Sequence, residues 1–417
     1  MHKIILCIIV VLLNAGCSAR NIKSEQGKQI CPPASSPTAS TTLPSTQIPD
    51  KEPPSTEKPV ATSEYSLLKP ANWEALDGFL QDDLSASWNA WLTSCSTLKN
   101  KTEWQNACNF ASKLNKPNTA QIAEYFTTYF DVYSTSNLNG SNTGLITGYY
   151  EPVLKGSRKS SIKYPYPLYQ QPKDLITVDL STLFPELKYK RVRGKLEGNK
   201  LVPYLTRAEI ESESQPLKGN EIVWINDPLD AFYLQIQGSG LIQLDSGEQL
   251  HLGYADQNGH TYQSIGKLLV QRGELSLSQA SMQGIKDWAK SHTNQLRELL
   301  NSNPSYVFFK ELPSGLFGPL GALGVPLTAE RSVAIDPKYV PLGAPVFLST
   351  SYPNDNKPLK RLMIAQDTGG AIKDGVRADF FWGSGDTAGK MAGAMKQMGQ
   401  IWVLLPKEFK LNNISFN

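Results

Sequence analysis

From Gly144 onward the chain is cut into short apolar runs that no long helix can use. "GLITGYYEPVLKG" (144–156), "YPYPLYQ" (164–170), "GNEIVWIND" (219–227), "AFYLQIQGSGLIQLDSGEQLHLGYAD" (231–256) and "SVAIDPKYVPLGAPVFLS" (332–349) are rich in β-branched and aromatic residues and punctuated by Gly, Pro and Asp. "LMIAQD", "RADFFWG" and "IWVLLP" continue the pattern to the end. Such punctuation predicts closed or sandwiched sheets rather than a parallel sheet with crossover helices. Three stretches depart from it. Asn72 to about Phe130 repeats apolar residues at three- and four-residue spacing, as do Tyr262 to about Asn301 and a Gly/Ala/Met-rich segment near Gly385–Met398. In the second of these, Gly273 predicts a helix C-cap, and Ser276 with Gln279 a capping box for the helix that follows. The chain therefore reads as mainly β with a helical N-terminal segment and no internal repeat.

The first 17 residues, "MHKIILCIIVVLLNAGC", form a charged end and an apolar run too short to span a membrane comfortably. Small residues before Cys17 resemble a bacterial lipoprotein processing site, although Asn14 stands where that motif has Leu. Residues 18–63 are expected to be a disordered tether. From Cys31 they are Pro/Ser/Thr-rich, with too little apolar surface to offset the entropy of ordering. Thirty such residues reach at most roughly 100 Å when stretched. Cys95 and Cys108 are expected to pair and staple two helices in an oxidising compartment.

A net charge of +3 over 417 residues is too small for an electrostatic nucleic-acid binder. The basic run Lys188–Lys200 reads as a solvated strand face. With four histidines, none paired at i, i+4, and no Cys-x-x-Cys, neither a metal site nor a cofactor is expected. Asp-Thr-Gly at Asp367 and Asp-Ser-Gly at Asp245 suggest an aspartic protease, but their flanks differ and no lobe is duplicated. The alternation around Asp245 is that of a hairpin turn. Three aspartates remain in the last quarter: Asp336, Asp367 and Asp379. Asp379 precedes Phe380, Phe381 and Trp382, and lost hydration there raises a carboxyl pKa and suits a proton donor. Asp367, before Thr-Gly-Gly, is suited to accept backbone N–H bonds. From the residues alone, all three serve equally as turn and strand-end caps. Tyr149, Tyr150, Trp224, Phe232 and Tyr233 offer faces for sugar rings or fill a core. Gln235 and Gln237 are expected on one strand face, pointing hydrogen-bonding groups at a ligand.

In order along the chain, "TGYYEPVLKGSR", "DPLDAFYLQIQGSG", "YQSIGKLLVQRGEL", "NPSYVFF", "GVPLTAERSVAIDPKYVPLGAPVF" and "AQDTGGAIKDGVRADFFWGSGDTAGKMAGAMKQMGQIWVLLP" resemble the membrane-bound lytic transglycosylase A family, from about Glu64 to Pro406. The resemblance implies a double-psi β-barrel interrupted by a second small β-barrel, with a glycan strand in the groove between. The first would comprise residues 64–151 and 318–417, the second 152–317. It implies a murein lytic transglycosylase that cuts the β-1,4 bond from N-acetylmuramic acid to N-acetylglucosamine and leaves a 1,6-anhydro end. Asp379 matches the family's catalytic acid, with Asp367 and Asp336 the other two aspartates of the motif. Tyr149, Tyr150, Glu151, Gln237, Gly238 and Ser239 are the expected substrate-binding residues. The implied enzyme needs no cofactor. It is a monomeric lipoprotein of the outer membrane facing the periplasm, and its partner is peptidoglycan. A wall-binding, expansin-like protein using the same groove without cleavage is the alternative reading.

Overall fold

A computed structural model of the chain describes residues 65–190 and 192–411. The expected leader, Cys17 and the tether up to residue 63 lie outside the described residues. After β1 (Leu68–Ala71) come α1 (Leu84–Leu98), α2 (Thr102–Ala111), α3 (Thr119–Tyr129), β2 (Phe130–Thr135) and β3 (Gly144–Glu151). The middle of the chain holds β4 (Val153–Ser157), β5 (Tyr166–Tyr169), β6 (Ile176–Thr177), β7 (Arg193–Glu197), β8 (Lys200–Pro203), the single turn α4 (Arg207–Ile210), β9 (Glu221–Ile225), α5 (Pro228–Gln237), β10 (Ser239–Leu244) and β11 (Gln249–Gln257). α6 (Ile265–Gln271), α7 (Met282–Ser291), α8 (Thr293–Asn301) and β12 (Val307–Glu311) follow. The last segment contributes β13 (Ser332–Ile335), β14 (Pro345–Ser351), β15 (Pro358–Thr368), β16 (Ala378–Ser384), α9 (Gly385–Ala394) and β17 (Lys396–Pro406). Among the described residues no helix is long and apolar enough to cross a membrane.

The largest sheet runs β1-β2-β17-β14-β15-β13-β16-β3, and β17 also pairs with β3. That extra pairing closes β17, β14, β15, β13, β16 and β3 into a barrel, which leaves no open edge among those strands. Parallel pairs, β13 with β15 and β16 with β3, sit among antiparallel ones. The interior is apolar: Ile146, Val333, Val346, Met363, Phe380 and Val403 are all buried. The opening helices cover the barrel through one continuous core, in which Trp91, Trp104, Phe126 and Phe130 are at most 1 % exposed. α3 begins at a capping box, with Asn118 and Gln121 each accepting the other's backbone N–H.

A disulfide joins Cys95 of α1 to Cys108 of α2 across 13 residues. A loop of that length removes enough freedom from the unfolded chain to contribute about 2–3 kcal/mol. Urea unfolding with and without reductant is expected to differ by that amount, and coincident midpoints would contradict it.

A second sheet runs β12-β11-β10-β4-β9-β5, and a bridge from Gln170 to Phe309 brings its two edges together. β6, β7 and β8 make a small separate sheet, so the basic run is a turn and a hairpin. Two expectations change here. "PLDAFYLQIQ" is helix α5 rather than strand. Asp227 accepts N–H bonds from Leu229 and Asp230, Pro228 occupies the first turn, and Gly238 closes the helix at φ 81°. These start and stop signals outweigh the apolar run. The pair Ser276–Gln279 closes a turn instead of opening a helix; α7 starts later, with Ser281 accepting from the Gly284 N–H.

Candidate active site

β13 lies between β15 and β16, and Ala334 at its centre is in register with Asp367 on one side and Asp379 on the other. Residues in register share a face, so the two carboxylates rise from the same side of the sheet. Their Cα atoms are two strand spacings apart, roughly 10 Å, with only a methyl group between. On the far side of β16, Thr147 of β3 pairs with Asp379 and Tyr149 with Phe381. Thr147, Tyr149 and Glu151 alternate along β3 and so line the same face. Tyr149, Leu327, Ala334, Ile372 and Phe381 form the small buried cluster that floors it.

The two carboxylates have different surroundings. Asp367 accepts hydrogen bonds from the Tyr149 hydroxyl at 3.0 Å and from the N–H groups of Ala322 and Thr368, both at 2.9 Å. Burial, reinforced by Asp367 and Asp379, holds the Tyr149 hydroxyl well above its ordinary value, so it stays a donor. Among the described residues Asp379 accepts one bond, from Thr147 Oγ1 at 2.6 Å. Burial pushes its carboxyl up to about 6; Thr147 and Arg377 hold it down in part, and Asp367 adds to the rise.

The rings that crowd Asp379 are not all those next to it in sequence. Phe380 and Trp382 point to the opposite face and join the barrel core, and Phe381 with Tyr149, ring centroids 5.1 Å apart, lies on the carboxylate's side. Gly148 keeps that arrangement possible, because a Cβ there would lie 2.7 Å from Trp382 Nε1 and 2.9 Å from Ala392 Cα.

Asp336 follows β13 and is 4 % exposed. Its oxygens accept from the N–H groups of Lys338 and Asp374, and Lys373 Nζ lies 3.9 Å away. It therefore organises the turn that leads into β16. Asp245 is exposed at the β10–β11 hairpin tip, on a different sheet from Asp367, and the protease pairing has no geometric basis.

The remaining candidates lie where the barrel meets the second sheet. The Tyr150 N–H donates to Gln237 Oε1 at 3.1 Å, and its hydroxyl lies 3.9 Å from Met282 Sδ. Glu151, 1 % exposed, holds His251 Nε2 at 2.5 Å through one oxygen and accepts from Ser384 Oγ at 2.8 Å through the other. Gly238 ends α5, and Ser239 opens β10 in a buried position. Gln235 and Gln237 lie on a helix. Gln235 is committed to Arg207 at 2.6 Å and is buried. Phe232 and Tyr233 pack in a hydrophobic cluster with α6, α7 and α8 and present no face to a ligand. Among the described residues no group of His, Cys, Asp or Glu side chains is arranged to hold a metal ion. A cavity of about 190 Å³ lined by Trp104, Tyr189, Pro341 and Phe409 lies apart from these aspartates.

Sequence reasoning missed Thr147, Arg377 and His251 as parts of this site. Arg377, two residues before Asp379, was legible in strand alternation; the other two depend on strand partners that no local pattern gives.

Residues 145–310 match the model of the MltA specific insert domain, and residues 331–405 match that of the 3D domain. The chain is 36% identical over 265 residues to the membrane-bound lytic murein transglycosylase A of Escherichia coli strain K12, a match covering 62% of this chain and 64% of that protein. It thus spans slightly less than two thirds of that relative's length. The crystal structure of MltA from Neisseria gonorrhoeae, monoclinic form, superposes with a TM-score of 0.71 at 38% identity, covering 82% of this chain and 93% of that one. That of E. coli MltA with bound chitohexaose gives 0.62 at 26% identity, covering 85% and 99%. With the closed barrel and its paired aspartates already described, these likenesses mean that the chain belongs to the membrane-bound lytic murein transglycosylase A family.

Proposed function

We propose that the protein is a peptidoglycan lytic transglycosylase that cleaves the β-1,4 bond between N-acetylmuramic acid and N-acetylglucosamine with Asp379 as its one acid and base. The observation that carries this reading is the contrast between the two carboxylates. Asp379 has a carboxyl raised to about 6 by burial and can hold a proton near neutral pH, whereas Asp367 is committed to three donors. Asp379 gives its proton to the glycosidic oxygen as the bond from the muramoyl C1 to that oxygen breaks. The muramoyl C6 hydroxyl then closes on C1, and its proton returns to Asp379. Atoms balance without water: the products are a free 4-hydroxyl on N-acetylglucosamine and a 1,6-anhydro ring.

Ordinary glycosidases need a second carboxylate as nucleophile or to activate water. A hydroxyl in the same sugar has an effective concentration high enough to replace it, removing several kcal/mol of barrier on the usual scale for intramolecular reactions. Asp367 then holds Tyr149 and the turn before Leu323, and Asp336 shapes the approach to β16. The glycan strand would follow the junction of barrel and second sheet past Tyr150, Glu151, Gln237, Gly238 and Ser239. We read residues 1–17 as a signal peptide and Cys17 as the lipid-bearing end that anchors a monomeric enzyme to the outer membrane, facing the periplasm.

Digestion of purified sacculi in water enriched in oxygen-18, followed by mass spectrometry, tests the reaction. Anhydro ends without label are expected. Labelled reducing ends would mean hydrolysis, and intact strands would mean a binding protein; either result overturns the reading.

A further inference from the structure

Thr147 stands between two groups with different hydrogen-bonding capacities. Its Oγ1 lies 3.0 Å from Arg377 Nη2 and 2.6 Å from Asp379 Oδ1. A guanidinium only donates, so Thr147 Oγ1 must be the acceptor in the first bond. The hydroxyl proton is then left for the second bond, and Asp379 Oδ1 is its one acceptor among the described residues. Arg377 is itself held in place, because Nη1 donates to the carbonyls of Leu145 at 3.2 Å and Ala378 at 2.6 Å. These carbonyls flank the β3–β16 pairing that also fixes Thr147 opposite Asp379. Guanidinium, hydroxyl and carboxylate thus form a one-way chain of donors.

We infer that Thr147 and Arg377 are positioning residues that hold Asp379 Oδ1 as a permanent acceptor and so restrict the travelling proton to Oδ2. Oδ2 has no hydrogen-bond partner among the described residues and is the oxygen left to meet the glycosidic oxygen. The inference deepens the reading of Asp379 as the acid and rests on it. In the acid form the carboxyl keeps its carbonyl-like oxygen toward Thr147 and its hydroxyl toward the substrate. In the carboxylate form Oδ1 gains the stronger charge-assisted bond while Oδ2 waits for the C6 hydroxyl proton. The same chain keeps the raised carboxyl from rising further, because Thr147 and Arg377 both favour its ionised form. The other titratable groups facing it are Asp367 from β15 and Tyr149 from β3. Burial lowers the Arg377 guanidinium from its ordinary value, and it stays cationic as arginine does in proteins.

The test uses the full chain with Thr147→Val, Thr147→Ser and Arg377→Gln, and Asp379→Asn as control. One readout is the carbon-13 shift of the Asp379 carboxyl in protein labelled at aspartate, assigned by its loss in Asp379→Asn. The other is kcat and KM for release of anhydro ends across the pH range. Thr147→Val and Arg377→Gln are expected to move the Asp379 titration upward by about one pH unit and carry the falling, alkaline limb of kcat with it. Their kcat should fall roughly ten- to a hundredfold with KM within about twofold, the pattern of an interaction that matters in the transition state. Thr147→Ser keeps the hydroxyl and should stay within about threefold of the parent. An Asp379 titration unmoved in Thr147→Val or Arg377→Gln, or a change confined to KM, would overturn the inference. Should Thr147→Val fail to fold, as thermal unfolding would reveal, Arg377→Gln decides by the same titration. Activity retained in Asp379→Asn would instead refute Asp379 as the acid, and that outcome is separable because the carboxyl titration does not depend on turnover.

Discussion

Asp379→Asn is expected to lower release of anhydro ends by at least about a thousandfold while making the protein more stable at alkaline pH. The first effect follows from removing the proposed proton donor and acceptor, for which no second carboxylate is disengaged. The second follows from the cause of the raised carboxyl. Its ordinary value of 3.8 is pushed up to about 6 in the folded protein, chiefly by burial. Folding therefore favours the protonated group. That contribution is fully present below 3.8 and is lost as pH rises through about 6. Above that, folding must keep an ionised carboxylate in a poorly hydrated recess, at a cost of up to about 3 kcal/mol. Asparagine carries no charge and escapes this. Urea unfolding should show a gain of about 1–3 kcal/mol for the variant above pH 8, shrinking toward zero below pH 4. A gain that is the same at both ends, or a loss at alkaline pH, would contradict the assignment of burial as the cause.

The second large effect lies away from the site. Asp82 and Arg331 form an ion pair at 2.8 Å with side chains 4 % and 7 % exposed, and Asp82 also accepts the Leu362 N–H at 2.8 Å. Arg331 further donates to Ser87 Oγ at 3.0 Å, which in turn donates to the Leu362 carbonyl at 2.6 Å. One carboxylate thus ties the start of α1 to β15 and to the residue preceding β13. Asp82→Ala leaves a buried guanidinium without its counter-charge and an N–H without an acceptor, and should destabilise by about 3–5 kcal/mol. Replacing both partners, Asp82→Ala with Arg331→Met, should lose less than Asp82→Ala alone, since no lone charge stays behind. Denaturant unfolding of the two single variants and the pair measures this, and simple additivity would refute the coupling.

How much of this was legible before the structure depends on the range of the interaction. Alternation and Gly/Pro punctuation are local, and they announce β3, β13, β15, β16 and β17 with Asp367 and Asp379 at strand positions. The relation of Asp379 to Thr147 spans 232 residues, and no periodicity reports it. The lost hydration at Asp379 was anticipated, but strand geometry sends Phe380 and Trp382 to the other face and supplies Tyr149 in their place. α5 was misread because "AFYLQIQ" is apolar and aromatic, although Asp227-Pro228 and Gly238 stood at its two ends as helix signals. Asp245 was rightly set aside as a turn, since its flanks alternate on both sides.

Barrel closure has one more consequence. β3 bonds to both β16 and β17, and those two strands are made after the entire second sheet. Thr147 and Tyr149 therefore meet neither carboxylate until β15 and β16 have been made. A fragment that ends before β15 and β16 lacks both carboxylates that the barrel sets beside Thr147 and Tyr149.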